Sequence, residues 1–177
     1  METTKAKWVL DPAHSELMFR VKHLMITNVK GEFKSFTAEI DHEDFKNAAV
    51  KVSVDTSSIF TNNTDRDNHL KSADFFDAEN HQVMTFESTS FKQLEDNEFK
   101  LIGTLTIKGI SKEVTLNVEY GGTIKDPWGN EKAGFSFHGK INRKDWGLNW
   151  NAALETGGVM VSDEVKLLGE VQFTKQN

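Results

Sequence analysis

Six histidines, at positions 14, 23, 42, 69, 81 and 138, are the side chains of this 177-residue sequence best suited to move a proton or hold a metal near neutral pH. None stands in an HExxH pattern, and the sequence carries no GxSxG elbow, GxxxxGK[ST] phosphate loop or glycine-rich dinucleotide fingerprint. Cysteine is absent, which removes disulfides, thiolate metal sites and thiol nucleophiles. His14, His23 and His69 are the set that one end of a folded chain could gather around a metal ion. No two of them share a local element, so hydrogen bonding is their expected role, and no metal, cofactor or catalytic group is assigned. His23 stands apart, because it follows Phe19 and Val21 on one face of an alternating run and is aimed at whatever polar group lies beside that face. The charged pairs Arg66–Asp67 and Arg143–Asp145 suit capping or surface ion pairing, worth roughly 0–1 kcal/mol when exposed.

The elements that must carry these residues follow from a period of two. Phe99, Leu101, Leu105 and Ile107 alternate with Lys100, Thr104, Thr106 and Lys108. After Gly109, Val114, Leu116, Val118 and Tyr120 alternate with Glu113, Thr115, Asn117 and Glu119. Side chains alternate across a strand, so this is an antiparallel hairpin with one apolar face. The same rhythm runs through Leu17-Phe19-Val21, Val50-Val52-Val54, Met84-Phe86, Phe135-Phe137 and Val165-Leu167-Val171, predicting seven or eight strands. Asp126-Pro127-Trp128-Gly129 reads as a type I turn.

The rhythm breaks between Thr61 and Asp77. Thr64 as cap, Asp65 and Asp67 in the first turn and Lys71 in the last predict a short helix. One helix among antiparallel strands cannot supply crossovers for an α/β fold, so it is expected to cover an opening of the sheet. A second irregular segment, from Asn142 to Gly158, holds Trp146, Leu148 and Trp150.

Composition narrows the partners. A net charge of −6, from 21 basic and 27 acidic residues, argues against nucleic acid and against attraction to anionic lipid surfaces. No apolar stretch of about 18 residues appears, and residues 1–7 hold no signal-peptide core, so a single soluble cytoplasmic domain without stable membrane insertion is expected. Eight strands closed on themselves leave an interior that is either filled by side chains or holds one small ligand. Gly103, Gly139 and Gly169 fall on the apolar faces of three different strands; each taken singly could let its strand bend at a barrel corner, and together they predict gaps ringed by Phe and Leu in a dry cavity.

Trp8-Val9-Leu10-Asp11 with His14-Ser15, Phe19-Arg20-Val21-Lys22-His23, Val29-Lys30-Gly31-Glu32-Phe33, Arg66-Asp67-Asn68-His69-Leu70 and Asp74-Phe75-Phe76-Asp77 resemble the YceI family of lipocalin-like proteins that bind polyisoprenoid lipids. The resemblance continues through Gly103–Gly109, Gly134-Phe135, Arg143–Gly147 and Gly157-Gly158, and so covers Trp8 to Phe173. It implies an all-β fold, an extended eight-stranded antiparallel barrel with a helix near its opening, and pairing into homodimers, for which Trp128 would suit an interface. Two departures stand out: many relatives carry signal peptides, and Gln82 replaces a Pro often found before the strand at Met84.

From the apolar faces and this resemblance, the ligand-lining residues are expected to be Leu17, Phe19, Val21, Phe36, Val52, Phe86, Leu101, Leu105, Leu116, Phe135, Phe137 and Leu167, with Gly103 opening the cavity between them. Phe75, Phe76, Trp146 and Trp150 are the lid or portal residues, and His23 and Arg143 the polar contacts, Arg143 as anchor for an anionic head. The expected function is non-enzymatic binding of a long-chain apolar lipid, a polyisoprenoid, isoprenoid quinone or similar, as carrier, reservoir or protector. An enzyme acting on the bound lipid and a solid, ligand-free interaction module are the alternatives.

Overall fold

A computed structural model describes residues 7–42, 45, 48–151 and 161–176. Among them the alternating segments form one antiparallel sheet that closes on itself. Three of its walls are interrupted strands. β1 (Lys7–Leu10) and β2 (Glu16–His23) lie end to end along β11 (Val161–Gln176), Leu10 opposite Phe173 and Leu17 opposite Gly169. β3 (Thr27–Phe33) and β4 (Phe36–Ile40) follow one another in the same way, β3 beside β2 and β4 beside β1. β5 (Val50–Asp55) and β6 (Ile59–Phe60) make the third, pairing with β4 and β3. β7 (Val83–Glu95), β8 (Glu98–Ile107), β9 (Ile110–Lys125) and β10 (Glu131–Asn142) then lead back to β11, giving a closed barrel of eight walls. This is the architecture that the alternation predicts.

The interruptions have local causes. Asp11 accepts the Ala13 N–H at 3.1 Å and turns the chain through Pro12–His14, while the Ser15 hydroxyl donates to the Asp11 carbonyl and accepts the Gln172 N–H at 3.0 Å. Asp55 caps a second tight turn, Thr56–Ser58, accepting from Ser57 N–H at 3.0 Å. The breaks sit side by side, joined by Lys34 N–H to the Ser58 carbonyl and Asp55 N–H to the Ser35 carbonyl. Satisfying the backbone through these turns keeps the wall closed where ladder pairing lapses.

The β8–β9 turn is as expected, Lys108 and Gly109 taking φ of 54° and 75°, the geometry that a two-residue hairpin needs. α1 spans Thr64–Lys71, but its cap is Asn63, whose side chain accepts the Arg66 N–H at 3.0 Å; Thr64 already lies inside the first turn. The expected cap was therefore one residue late.

The glycines of the apolar faces do not leave empty room. A Cβ on Gly103 would lie 2.5 Å from Phe86 Cζ, one on Gly139 2.7 Å from Leu116 Cδ2, and one on Gly169 2.7 Å from the Phe137 ring; the Phe19 ring covers Gly31 likewise. Each glycine is a bed for a large side chain of the adjacent strand. The gap reading of Gly103, Gly139 and Gly169 is thus corrected.

Candidate ligand-binding site

What the barrel encloses is a chamber of about 540 Å³, within the range of small-molecule sites. Its wall is formed by the inward residues of all eight walls, among them Leu17, Phe19 and Val21 on β2, Phe36 on β4, Val52 on β5 and Phe86 on β7. Leu101 and Leu105 on β8, Leu116 on β9, Phe135 and Phe137 on β10 and Leu167 on β11 complete it. Inward-facing Leu17, Phe19, Val21, Phe36, Val52, Leu105, Leu116, Phe137 and Leu167 are only partly buried, although they point away from bulk solvent. Unfilled interior is the reason: their free surface faces the chamber.

The two ends differ. At one, Phe45 packs on Trp8, Tyr120 and Phe135 with ring centroids 5.3, 5.7 and 5.1 Å apart, and Phe135 meets Phe173 at 6.0 Å. At the other, polar side chains enter the lining for the first time: Lys22, His23, Asp65, Arg66, His69 and Arg143. That end is the mouth. α1 lies across it because β6 delivers the chain there and β7 begins there. Thr61 fixes the helix start: its N–H (2.8 Å) and hydroxyl donate to buried Asp67, while Arg66 donates from Nε to the Thr61 hydroxyl (2.8 Å) and from Nη2 to its carbonyl (2.7 Å). Arg66 and Asp67 therefore build the loop, as capping residues do.

Phe75 and Phe76 follow the helix and line the chamber beside Trp150. His69 stands edge-on to both Phe75 (5.2 Å) and Trp150 (4.7 Å) and shares a hydrogen bond with Asp74 at 2.8 Å, so that the three rings form one cluster at the mouth. His23 reaches the rim on β2. His14 pairs with Asp11 at 2.9 Å at the β1–β2 break, away from the mouth, so His14, His23 and His69 do not assemble. Among the described residues no cluster of three His, Asp or Glu side chains could hold a metal ion.

Three expected site residues have other roles. Trp146 is 2% exposed, and its indole N–H donates to the Leu105 carbonyl at 2.9 Å; it pins the tight turn Arg143–Trp146 to β8 behind the wall and is absent from the lining. Gly103 lies under Phe86 and is also absent from it. Arg143, 3% exposed, touches the chamber but donates to four carbonyls: Ser162 (2.9 Å) from Nε, Leu148 and Trp150 (2.9 Å) from Nη1, and Val161 (3.2 Å) from Nη2. Asp163 lies 3.9 Å from Nη2. Burial pushes the guanidinium pKa down and Asp163 opposes it. A guanidinium has five N–H groups, and with four committed to the chain it is a clamp for the mouth connection rather than an anchor for an anionic head. Nothing in the local sequence around Arg143 reports this, because two of its carbonyls belong to β11. Of the expected irregular segment Asn142–Gly158, residues 152–158 lie outside the described residues, as does the Gly157-Gly158 motif.

A closed eight-walled antiparallel barrel with a helix at its mouth and an apolar chamber inside defines the class of the molecule. A model of the YceI-like domain matches residues 8–173, and the chain belongs to that family. A UPF0312 protein of Staphylococcus epidermidis is 42% identical over 174 residues, 97% of this chain and 99% of that protein. The YCEI protein of Campylobacter jejuni is similar in structure, with a TM-score of 0.76 and 38% identity over 88% of this chain and 90% of that one. A polyisoprenoid-binding domain from Saccharophagus degradans shares the fold at 16% identity, with a TM-score of 0.70 over 96% of this chain and 98% of that one.

Proposed function

We propose that the barrel binds a long-chain apolar lipid of the isoprenoid type and acts as its carrier, reservoir or protector, without chemistry of its own. The observation that carries this reading is the chamber itself: one continuous apolar space of about 540 Å³, with polar groups only at one end. The polyisoprenoid-binding domain that shares the fold supports the ligand class. Each five-carbon unit moved out of water contributes roughly 3–4 kcal/mol at about 0.8 kcal/mol per buried carbon, before ordering costs. A few units in the wall's grip are enough for tight binding. In this reading the tail supplies affinity, and Lys22, His23 and His69 at the rim would meet a head.

Native mass spectrometry of the purified protein, followed by organic extraction, tests the reading. A bound mass that extracts as a long-chain lipid supports it. A bare protein that also takes up no farnesyl or geranylgeranyl probe overturns it.

A further inference from the structure

The β2–β3 turn breaks a local rule. Leu24 and Met25 adopt φ of 52° and 64°, a region that a hairpin turn normally fills with Gly, Asn or Asp, and the Ile26 N–H closes the turn on the His23 carbonyl at 3.2 Å. Bulky L-residues there cost about 1 kcal/mol or more each. The fold covers these side chains only in part, since Met25 is 51%, Ile26 78% and Leu24 37% exposed. An apolar tip held in an unfavourable conformation and presented to solvent points to a surface outside the molecule.

The wall beside that tip breaks a second rule. Lys140, Lys166, Arg20 and Lys30 occupy directly opposed positions on β10, β11, β2 and β3, all exposed, so four cations stand in one row across the sheet. Like charges directly opposite one another are destabilising in a sheet. Lys22, also exposed, adds a fifth toward the tip. Glu164 lies 3.9 Å from Lys140, but Lys166, Arg20, Lys22 and Lys30 make no ion pair among the described residues. In a chain of net charge −6 this concentration is local, with Lys140 its one ion-paired member among the described residues.

The row, the tip and the chamber mouth adjoin: His23, the last residue of β2, lines the rim and opens the turn. We propose that the protein docks reversibly on anionic lipid bilayers, the Leu24–Ile26 tip entering the headgroup boundary and the Lys140–Lys166–Arg20–Lys30 row facing the phosphates. Apolar insertion joined to basic side chains is the combination that holds a protein at such an interface. The mouth is then brought to the lipid surface. Docking goes beyond occupancy of the chamber and is read separately from it.

Co-sedimentation with vesicles of phosphatidylcholine alone or with phosphatidylglycerol tests this, on protein whose bound lipid is measured in parallel by extraction. Partition onto the anionic vesicles, weakened by salt and at least about ten-fold weaker on phosphatidylcholine, is expected. Replacing the turn by its preferred chemistry, Leu24→Asn with Met25→Gly, relieves the backbone and leaves the protein folded and at least as heat-stable, but loses binding to the anionic vesicles. Arg20→Glu with Lys166→Glu loses it too. Binding that is equal on both vesicles, absent, or unchanged in either variant overturns the proposal. So does retention of a soluble polyanion such as heparin by the turn variant as its strongest interaction, or a dimer that the turn variant dissolves. Lipid that still extracts from protein failing to dock would overturn docking alone.

Discussion

The ring of Phe86 on β7 lies over Gly103 on β8, and a Cβ at Gly103 would stand 2.5 Å from both Phe86 Cζ and the Glu87 carbonyl oxygen. The glycine serves the packing of its neighbour, so enlarging it collides with backbone that cannot give way.

Gly103→Ala is therefore expected to destabilise by about 1–3 kcal/mol, as overpacking does. Thermal or urea denaturation measures it; an unchanged midpoint would mean that the two strands part without cost.

Filling the chamber requires a position that faces it. Val165 on β11 lines it and is only half-buried. Val165→Trp should fold with near-normal stability and lose most uptake of a fluorescent isoprenoid, whereas uptake equal to the parent protein would locate the ligand elsewhere.

Arg143→Met removes the donors of four carbonyls while preserving much of the side chain's length. Unsatisfied buried acceptors cost about 1–3 kcal/mol each, discounted where water can enter, so a loss of about 3 kcal/mol is expected. Arg143→Lys should recover little of it, since an ammonium cannot span four acceptors. Hydrogen exchange should quicken in the mouth turn Arg143–Trp146 before the far ends of the strands.

Asp11 gives an acid limb. A hydrogen bond from His14 is the largest influence on its carboxyl; burial, next in size, opposes it, and the Lys132 ammonium 3.2 Å away and the Ala13 N–H help to hold the carboxyl below the ordinary 3.8. A pKa lowered by folding stabilises the native state above the unfolded carboxylate value, and that contribution is lost as pH falls through the folded value. Acid titration should show part of the fall in stability below about pH 4 disappearing in Asp11→Asn.

The barrel was legible because each apolar run, such as Val114-Leu116-Val118, keeps strict alternation over a buried face, and a slip by one residue would expose it. The helix was legible from its charges, although Asn63 took the cap that Thr64 was expected to hold. The roles of Arg143 and Trp146 were not, because their partners, the Val161 and Ser162 carbonyls for one and the Leu105 carbonyl for the other, are brought near only by strand pairing. The row of Lys166 and Arg20 was hidden for the same reason: register between residues so distant in sequence is a property of the closed sheet. Overall charge, which argued against anionic surfaces, averaged that row away.

Among the described residues, Phe45 with Trp8, Tyr120 and Phe135 crowds one end of the interior with rings, while the polar side chains stand at the other. A lipid of the proposed kind would then enter by its greasy end and leave by backing out, its cap staying at the doorway. Handover would then need no reorientation of the cargo, only a receiver able to grip the protruding tip and draw.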